Sequence, residues 1–162
     1  MPERPKVVVY VDACARGRCA GLGVYIPAPA VYDKTGFLPR PFQTGMGIRG
    51  KDSTVKNEIQ ALLFGIDIVT SVLEALLYPQ QRSSVDIEFR TDAKVITDVL
   101  NSFAKPKSPV LRGLFGHVNA ELKDLRSKFG GATVAYVNTR KNLADGMAAA
   151  AADSWNERWA KS

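Results

Sequence analysis

Four carboxylates are the side chains of this sequence best suited to carry chemistry. Asp12 lies within the apolar residues 7–13, where a carboxylate is costly to desolvate unless it is paired, metal-bound or at a strand's open end. Asp92 follows an alternating, strand-like run, and Asp145 lies where the last helix is expected to begin. Glu58 lies near the start of the longest helical pattern. Each also has an ordinary interpretation, as the cap of a turn or helix or as a hydrogen-bonded buried acid.

The hydrophobic pattern predicts the elements that must position these acids. Strand-like runs cover residues 6–13, 20–26, 43–49, 85–91 and 132–137. Helical runs cover residues 54–78, 92–103, 111–129 and 143–159, and the Pro- and Gly-rich residues 28–41 are expected to form a loop. Consecutive strands with short connections should pair antiparallel, and strands separated by helices should pair parallel. The prediction is a single α/β domain over residues 1–162, with a five-stranded mixed sheet and helices on its faces.

The longest helix orients one of the four acids. Ser53 is expected to cap this helix, and Pro79 is expected to end it. At about 100° per residue, Glu58 aligns with Leu62 and Val69 on the flank of the apolar stripe. Glu58 is therefore expected to face the sheet, either as part of a functional site or as a buried glutamate with its own hydrogen bonds.

Other helical residues are expected to pack in or against the hydrophobic core. The short second helix is expected to bury Val95, Ile96, Val99, Leu100 and Phe103. Trp155 and Trp159, four residues apart on the final helix, are expected to pack onto the third helix or the sheet, with base stacking as the alternative. His117 is interpreted as a residue of the surface or core edge.

The predicted topology brings the four acids together. Asp12 is on the central strand, and Asp92 is at the carboxyl end of the parallel strand beside it, which is where open α/β sheets bind ligands. Glu58 and Asp145, in helix first turns, can pack over the same point. Carboxylates this close repel one another unless a cation intervenes, and oxygen ligands without His or Cys favour Mg²⁺ or Mn²⁺. Two such ions roughly 4 Å apart are the usual means of hydrolysing a phosphodiester in line.

The composition is that of a globular protein, and its net positive charge favours binding to polyanions. The 162 residues are 46% hydrophobic, and 22 Lys and Arg against 16 Asp and Glu give a net charge of +6, which favours nucleic acid. The N-terminal residues contain no signal-peptide pattern and the apolar runs are short, so an intracellular protein, cytoplasmic or nuclear, without membrane contact is expected. Cys14 and Cys19 are expected to be free thiols, and a zinc site is not expected.

The sequence resembles the ribonuclease H superfamily, specifically type 1 ribonuclease H. Residues 9–14 (VYVDAC) are similar to that family's opening strand, and residues 20–25 (AGLGVY) to its Gly-rich second strand. Residues 53–58 (STVKNE) resemble the start of its long helix. Residues 90–96 (RTDAKVI) resemble its Thr-Asp stretch, and residues 142–145 (NLAD) its closing motif. The resemblance covers nearly the whole chain in order.

The resemblance implies a fold, a reaction and residue roles. The sheet order would be 3-2-1-4-5, and the reaction would be two-metal hydrolysis of the RNA strand of an RNA–DNA hybrid by a monomer. Asp12 would bridge both metals, Glu58 and Asp92 would complete the site of the water-activating metal, and Asp145 would hold the other. The predicted contacts to nucleic acid are Cys14, Arg16, Thr54, Lys56, Arg140 and Lys141, with Lys51 and Arg18 as further basic candidates.

Departures from the family pattern keep a second interpretation open. The loop before the last helix, residues 138–141, lacks the family's histidine, and Ala93 replaces the usual serine. The basic handle of some members is also absent. These changes favour, as the alternative, a catalytically weak or inactive ribonuclease H-fold module that binds nucleic acid or acts as a scaffold. A proofreading-type exonuclease fits less well, because it would carry an acid at the position of Cys14. Transposase types also fit less well, because their Glu follows the second Asp, whereas Glu58 precedes Asp92.

Overall fold

The structure is a computed structural model that describes residues 4–27, 40–50 and 53–159. The strands in this part of the chain are β1 (Lys6–Arg16), β2 (Cys19–Ile26), β3 (Phe42–Arg49), β4 (Asp86–Thr91) and β5 (Ala132–Tyr136). The helices are α1 (Thr54–Leu76), α2 (Pro79–Arg82), α3 (Lys94–Leu100), α4 (Pro109–Lys128) and α5 (Asp145–Trp159). A 3₁₀ turn at Thr139–Lys141 precedes α5. The loop expected at 28–41 lies outside the described residues apart from 40 and 41.

The strands form one mixed sheet in the order β3-β2-β1-β4-β5, which confirms the predicted topology. β1 pairs antiparallel with β2, and β2 pairs antiparallel with β3. β1 and β4 pair parallel, as do β4 and β5. Helical crossovers separate the parallel strands, because a hairpin turn cannot return the chain in the same direction.

Helix α1 closes the core over one face of the sheet. Ser53 caps it as predicted, accepting a hydrogen bond of 3.3 Å from the backbone N–H of Lys56. Its fully buried apolar side chains include Ile59, Leu62 and Leu73. This helix is long and apolar enough to cross a membrane by length and composition, with a mean hydropathy of 1.7. The core helix of a globular domain passes the same test, and α1 packs here against β1 and β2.

Helix α5 packs against β1, β2 and β3 through small residues. A Cβ at Gly23 of β2 would lie 2.5 Å from the backbone nitrogen of Ala148 and 2.6 Å from the carbonyl oxygen of Ala144. Because side chains alternate along a strand, the neighbouring Leu22 and Val24 point into the core beneath α1. Glycine in β2 is therefore what lets the helix backbone approach the sheet backbone.

The predictions for the second helix and its surroundings need correction. Val95 and Phe103, expected in the core, are 40% and 83% exposed. Helix α3 ends at Leu100, and Ser102 adopts a positive φ of 65°, so the chain turns outward before Phe103 can reach the core. Asp92 does not cap this helix, because the N-cap residue is Ala93. Finally, Pro79 was predicted only to end α1, whereas α1 ends at Leu76 and Pro79 begins the short helix α2.

Candidate metal centre

Three of the four predicted acids meet at one point. Asp12, Glu58 and Asp92 each offer a carboxylate oxygen, and these oxygens all lie within 4.8 Å of one another. Asp12 and Glu58 are nearly inaccessible, at 4% and 6% exposure. Such a group of carboxylates can hold a metal ion, and it comes from three separate elements of the chain.

Strand register explains why Asp12 and Asp92 coincide. β1 and β4 run parallel with Tyr10 paired to Arg90, and each aspartate lies two residues further along its strand direction. The two carboxylates therefore reach the same edge of the sheet. The hydroxyl of Thr91 accepts a hydrogen bond of 3.1 Å from the backbone N–H of Ala93, which fixes the turn in which Asp92 sits.

Glu58 reaches the cluster from helix α1, on the flank of the apolar stripe as predicted. Its Oε2 atom is buried and has no hydrogen-bond partner, one of two such side-chain atoms among the described residues. An unpartnered buried polar atom carries a large desolvation cost, and in a native structure it calls for an unseen water, proton or ion. Beside two other carboxylates, a cation or a proton shared with Asp12 would satisfy this side chain.

Burial and the charges of neighbouring carboxylates raise the pKa of every acid in this group. For Asp12 the largest cause is burial, followed by the charge of Asp92 and a hydrogen bond with Asp145. For Glu58 the pKa rises through burial and then the charges of Asp12 and Asp92. Burial also raises the pKa of Asp92, although side-chain hydrogen bonds from Asn142 and Thr139 oppose it. The chain alone therefore favours protonated carboxyls, and a bound cation would favour the charged forms.

Asp145, the fourth predicted acid, borders the cluster. It is the first residue of α5, it is exposed, and it is not among the three acids whose oxygens lie within 4.8 Å. A hydrogen bond with Asp145 and the charge of Asp145 nevertheless help to raise the pKa of Asp12. The structure thus brings three acids together, and the fourth is near enough to affect the pKa of Asp12.

Asn142 belongs to the site, although sequence reasoning gave it no role beyond the closing motif. Asn142 is 5% exposed. Its side-chain amide nitrogen donates a hydrogen bond of 2.9 Å to the carbonyl oxygen of Val11, and its side-chain oxygen accepts a hydrogen bond of 3.1 Å from the backbone N–H of Ala144. It also hydrogen-bonds to Asp92. A buried side-chain amide with several hydrogen-bond partners is typical of a residue that positions a site. The sequence alone does not show which partners Asn142 has.

The predicted nucleic-acid contacts lie on several elements of the described chain. Arg140 and Lys141 are exposed on the 3₁₀ turn whose first residue, Thr139, contacts Asp92. Thr54 is exposed and Lys56 is partly exposed in the first turn of α1. Arg16 forms an ion pair of 2.7 Å with Asp153 of α5.

The other residues singled out from the sequence lie on different parts of the fold. Cys14 is half-buried on β1, and Lys51 lies outside the described residues. Arg18 is in the turn between β1 and β2, and His117 is exposed on α4 as predicted.

Comparison with known proteins identifies the fold. No protein-family model matches the sequence, and no curated protein matches it. A solved structure of LC11-RNase H1 in complex with RNA/DNA hybrid is similar, with a TM-score of 0.70 and 21% identity over 92% of this chain and 98% of that chain. The RNase H1 of the archaeon Halobacterium salinarum matches with a TM-score of 0.66 and 21% identity over 92% of this chain and 98% of its own. An N-terminal RNase H domain from Mycobacterium tuberculosis matches with a TM-score of 0.65 and 21% identity, over 94% of this chain and 97% of that one. The chain has a ribonuclease H-like fold.

Proposed function

We propose that this protein is a divalent-metal-dependent endonuclease that hydrolyses the RNA strand of RNA–DNA hybrids with two metal ions. The observation that carries the proposal is the group of carboxylate oxygens from Asp12, Glu58 and Asp92, all within 4.8 Å of one another. The ribonuclease H-like fold supports it, as does the similarity to an RNase H1 that was solved with a hybrid bound.

The donor set fits a hard divalent cation. Only carboxylate oxygens form the group, and Mg²⁺ and Mn²⁺ prefer such ligands. Asp12, Glu58 and Asp92 would hold one ion, and Asp12 with Asp145 would hold the second. The buried Oε2 of Glu58 would gain the partner that the chain does not provide. When bound, such ions supply a water nucleophile at neutral pH and stabilise the oxygen that leaves in an in-line displacement.

The chain's own residues prepare this site. Asn142 and Thr139 hydrogen-bond to Asp92, which favours its charged form and fixes its direction. The burial of Asp12 and Glu58 strengthens their attraction for a cation. Arg140 and Lys141, exposed on the turn that begins at Thr139, would contact backbone phosphates and so align a duplex with the acids.

A ribonuclease H-fold module that binds nucleic acid without efficient catalysis is the second candidate. The exposed position of Asp145, outside the group of three, favours it, because the second ion would then have fewer protein ligands. The turn Thr139–Lys141 also contains no histidine. This candidate predicts hybrid binding with little turnover.

A substrate panel separates these functions. Hybrid, double-stranded RNA and double-stranded DNA, each labelled on one strand, are incubated with the protein and Mg²⁺, Mn²⁺ or EDTA. The nuclease proposal predicts that the RNA strand of the hybrid alone is cut, and only when metal is present. Tight hybrid binding without cleavage by either metal would reject the nuclease and support the binding module.

A further inference from the structure

An arginine on the strand that carries Asp12 is bound to a carboxylate of the same chain. Nη1 of Arg16, the last residue of β1, donates hydrogen bonds of 2.9 and 2.7 Å to the two carboxylate oxygens of Asp153 on α5. The Arg16 side chain is 48% exposed and the Asp153 side chain is 52% exposed. The pair therefore lies at the surface, where a charged ligand can reach it.

Arg16 lies on the same face of the sheet as Asp12. Side chains alternate along a strand, so residues four apart on β1 point to one face. Their partners on β2 are Gly23 and Cys19, and both of these residues approach the backbone of α5. At about 3.4 Å per residue, the Cα atoms of Asp12 and Arg16 are about 14 Å apart. That is about four nucleotide steps along one strand of a duplex, so a hybrid cut at the acids would extend as far as Arg16.

A carboxylate and a phosphate bind a guanidinium in the same way. Each offers oxygens that accept charge-assisted hydrogen bonds from its N–H donors. An exposed ion pair is weak, because water competes for both partners. A backbone phosphate can therefore replace Asp153 on Arg16, but the energy of the existing pair must be given up before the phosphate is bound.

Other contacts would hold the β1–β2 hairpin on α5 after the guanidinium changes partner. The backbone carbonyl oxygen of Arg16 accepts a hydrogen bond of 3.0 Å from the side-chain amide of Asn156. The thiol of Cys19 donates a hydrogen bond of 3.4 Å to the carbonyl oxygen of Ala152. Trp155 packs against β3, as predicted. None of these contacts uses the guanidinium of Arg16, so its release need not move the hairpin.

We propose that Asp153 is an internal competitor for the backbone phosphate that Arg16 binds in an RNA–DNA hybrid. The inference rests on the proposed function, because it takes the hybrid as the ligand. In the free protein Asp153 holds Arg16, and on binding a phosphate takes its place. Asp153 thereby lowers the affinity for hybrid without contacting the metal. A carboxylate that only tethered the hairpin would act in the opposite direction, since its removal would loosen the hairpin and weaken binding.

The test is a double-mutant cycle on binding of a labelled hybrid by the full chain, measured by fluorescence anisotropy in EDTA over a series of salt concentrations. Asp153→Asn should tighten binding about two- to fivefold at low salt, which corresponds to the energy of an exposed ion pair. Arg16→Gln should weaken binding and reduce the slope of log affinity against log salt by about 0.9, for one lost phosphate contact. In the Arg16→Gln background, Asp153→Asn should give little further gain.

Glu157→Gln is the matched control. It removes the same charge from an exposed position of α5, four residues after Asp153, and leaves the pair of Arg16 with Asp153 in place. This variant should change affinity far less than Asp153→Asn. The proposal would be overturned by weaker or unchanged binding in Asp153→Asn, by an equal gain in Glu157→Gln, by a full gain without Arg16, or by no hybrid binding in wild type.

Adding Mg²⁺ or Mn²⁺ to the same samples separates this inference from the nuclease proposal. The predicted affinities without cleavage would support the role of Asp153 and reject the nuclease. Cleavage by wild type with equal affinities in all variants would support the nuclease and reject the role of Asp153.

Discussion

The side-chain amide of Asn142 donates a hydrogen bond of 2.9 Å to the carbonyl oxygen of Val11, the residue before Asp12. The two residues are 131 positions apart in the chain, and this bond ties the segment before α5 to the central strand. A hydrogen bond from the same side chain lowers the pKa of Asp92, so Asn142 links the backbone before Asp12 to the Asp92 carboxyl. Asn142 therefore ties the segment before α5 to the candidate metal centre.

Replacing Asn142 should damage both stability and the site. Asn142→Ala leaves the buried carbonyl oxygen of Val11 and the N–H of Ala144 without their partner, at a cost of about 1–3 kcal/mol in the free energy of unfolding. Asn138→Ala is the control, since its exposed side chain accepts only a local bond from the N–H of Arg140. Denaturant unfolding and Mn²⁺ titration of both variants measure the difference. Equal, small losses would show that Asn142 does not position the site.

The close approach of α5 to the sheet gives a second prediction. Gly23→Ala should destabilise the fold by about 1–3 kcal/mol or more, because its Cβ would press on the backbone of α5 at Ala144 and Ala148. Gly113→Ala, in α4 with open space around it, should instead stabilise by about 0.5–1 kcal/mol. Thermal unfolding of the two variants compares them directly. A neutral Gly23→Ala would contradict the described packing of α5 on β2.

The raised pKa values predict how stability depends on pH without metal. Asp12 and Glu58 hold their protons more tightly in the folded protein than in the unfolded chain, where carboxyls titrate near pH 4. Between that pH and the raised folded pKa the folded state binds more protons, so the free energy of unfolding falls as pH rises. In EDTA, wild type should lose stability relative to Glu58→Gln from acidic towards neutral and mildly alkaline pH.

Adding Mn²⁺ should reverse this loss, since a cation replaces the proton in stabilising the charged carboxylates. Thermal melts over a pH series, with and without Mn²⁺, measure both effects. If the stabilities of wild type and Glu58→Gln change with pH in the same way in EDTA, the pKa of Glu58 is not raised by burial and repulsion as described here. If Mn²⁺ stabilises both equally, Glu58 is not a ligand.

The strands, their pairing directions and the meeting of the acids could be predicted from short-range patterns, whereas the sheet order was implied by the resemblance to ribonuclease H. Alternation and turn residues define the strands, and a parallel β1–β4 pair places Asp12 and Asp92 at one edge whatever the loops do. The flank position of Glu58 follows from helical periodicity. These features need no knowledge of side-chain packing.

Other features depend on contacts that the pattern does not encode. Phe103 is exposed because Ser102 turns the chain at a positive φ, which no apolar periodicity reveals. A cleft lined by Arg18, Arg49, Trp155 and Arg158 joins the β1–β2 turn, the end of β3 and α5, so it forms only when α5 has docked on the sheet. The hydrogen bond from Asn142 to Val11 is likewise a long-range contact.

Hydrolysis of a labelled RNA–DNA hybrid by matched carboxylate variants tests the central claim most directly. Asp92→Asn removes a charge from the cluster at nearly constant shape, whereas Asp67→Asn removes one from the exposed surface of α1. With Mg²⁺ or Mn²⁺ present, we expect Asp67→Asn to cut the RNA strand like wild type and Asp92→Asn to lose nearly all activity while still folded. Cleavage that survives in Asp92→Asn, or that proceeds unchanged in EDTA, would contradict a metal-holding acidic centre.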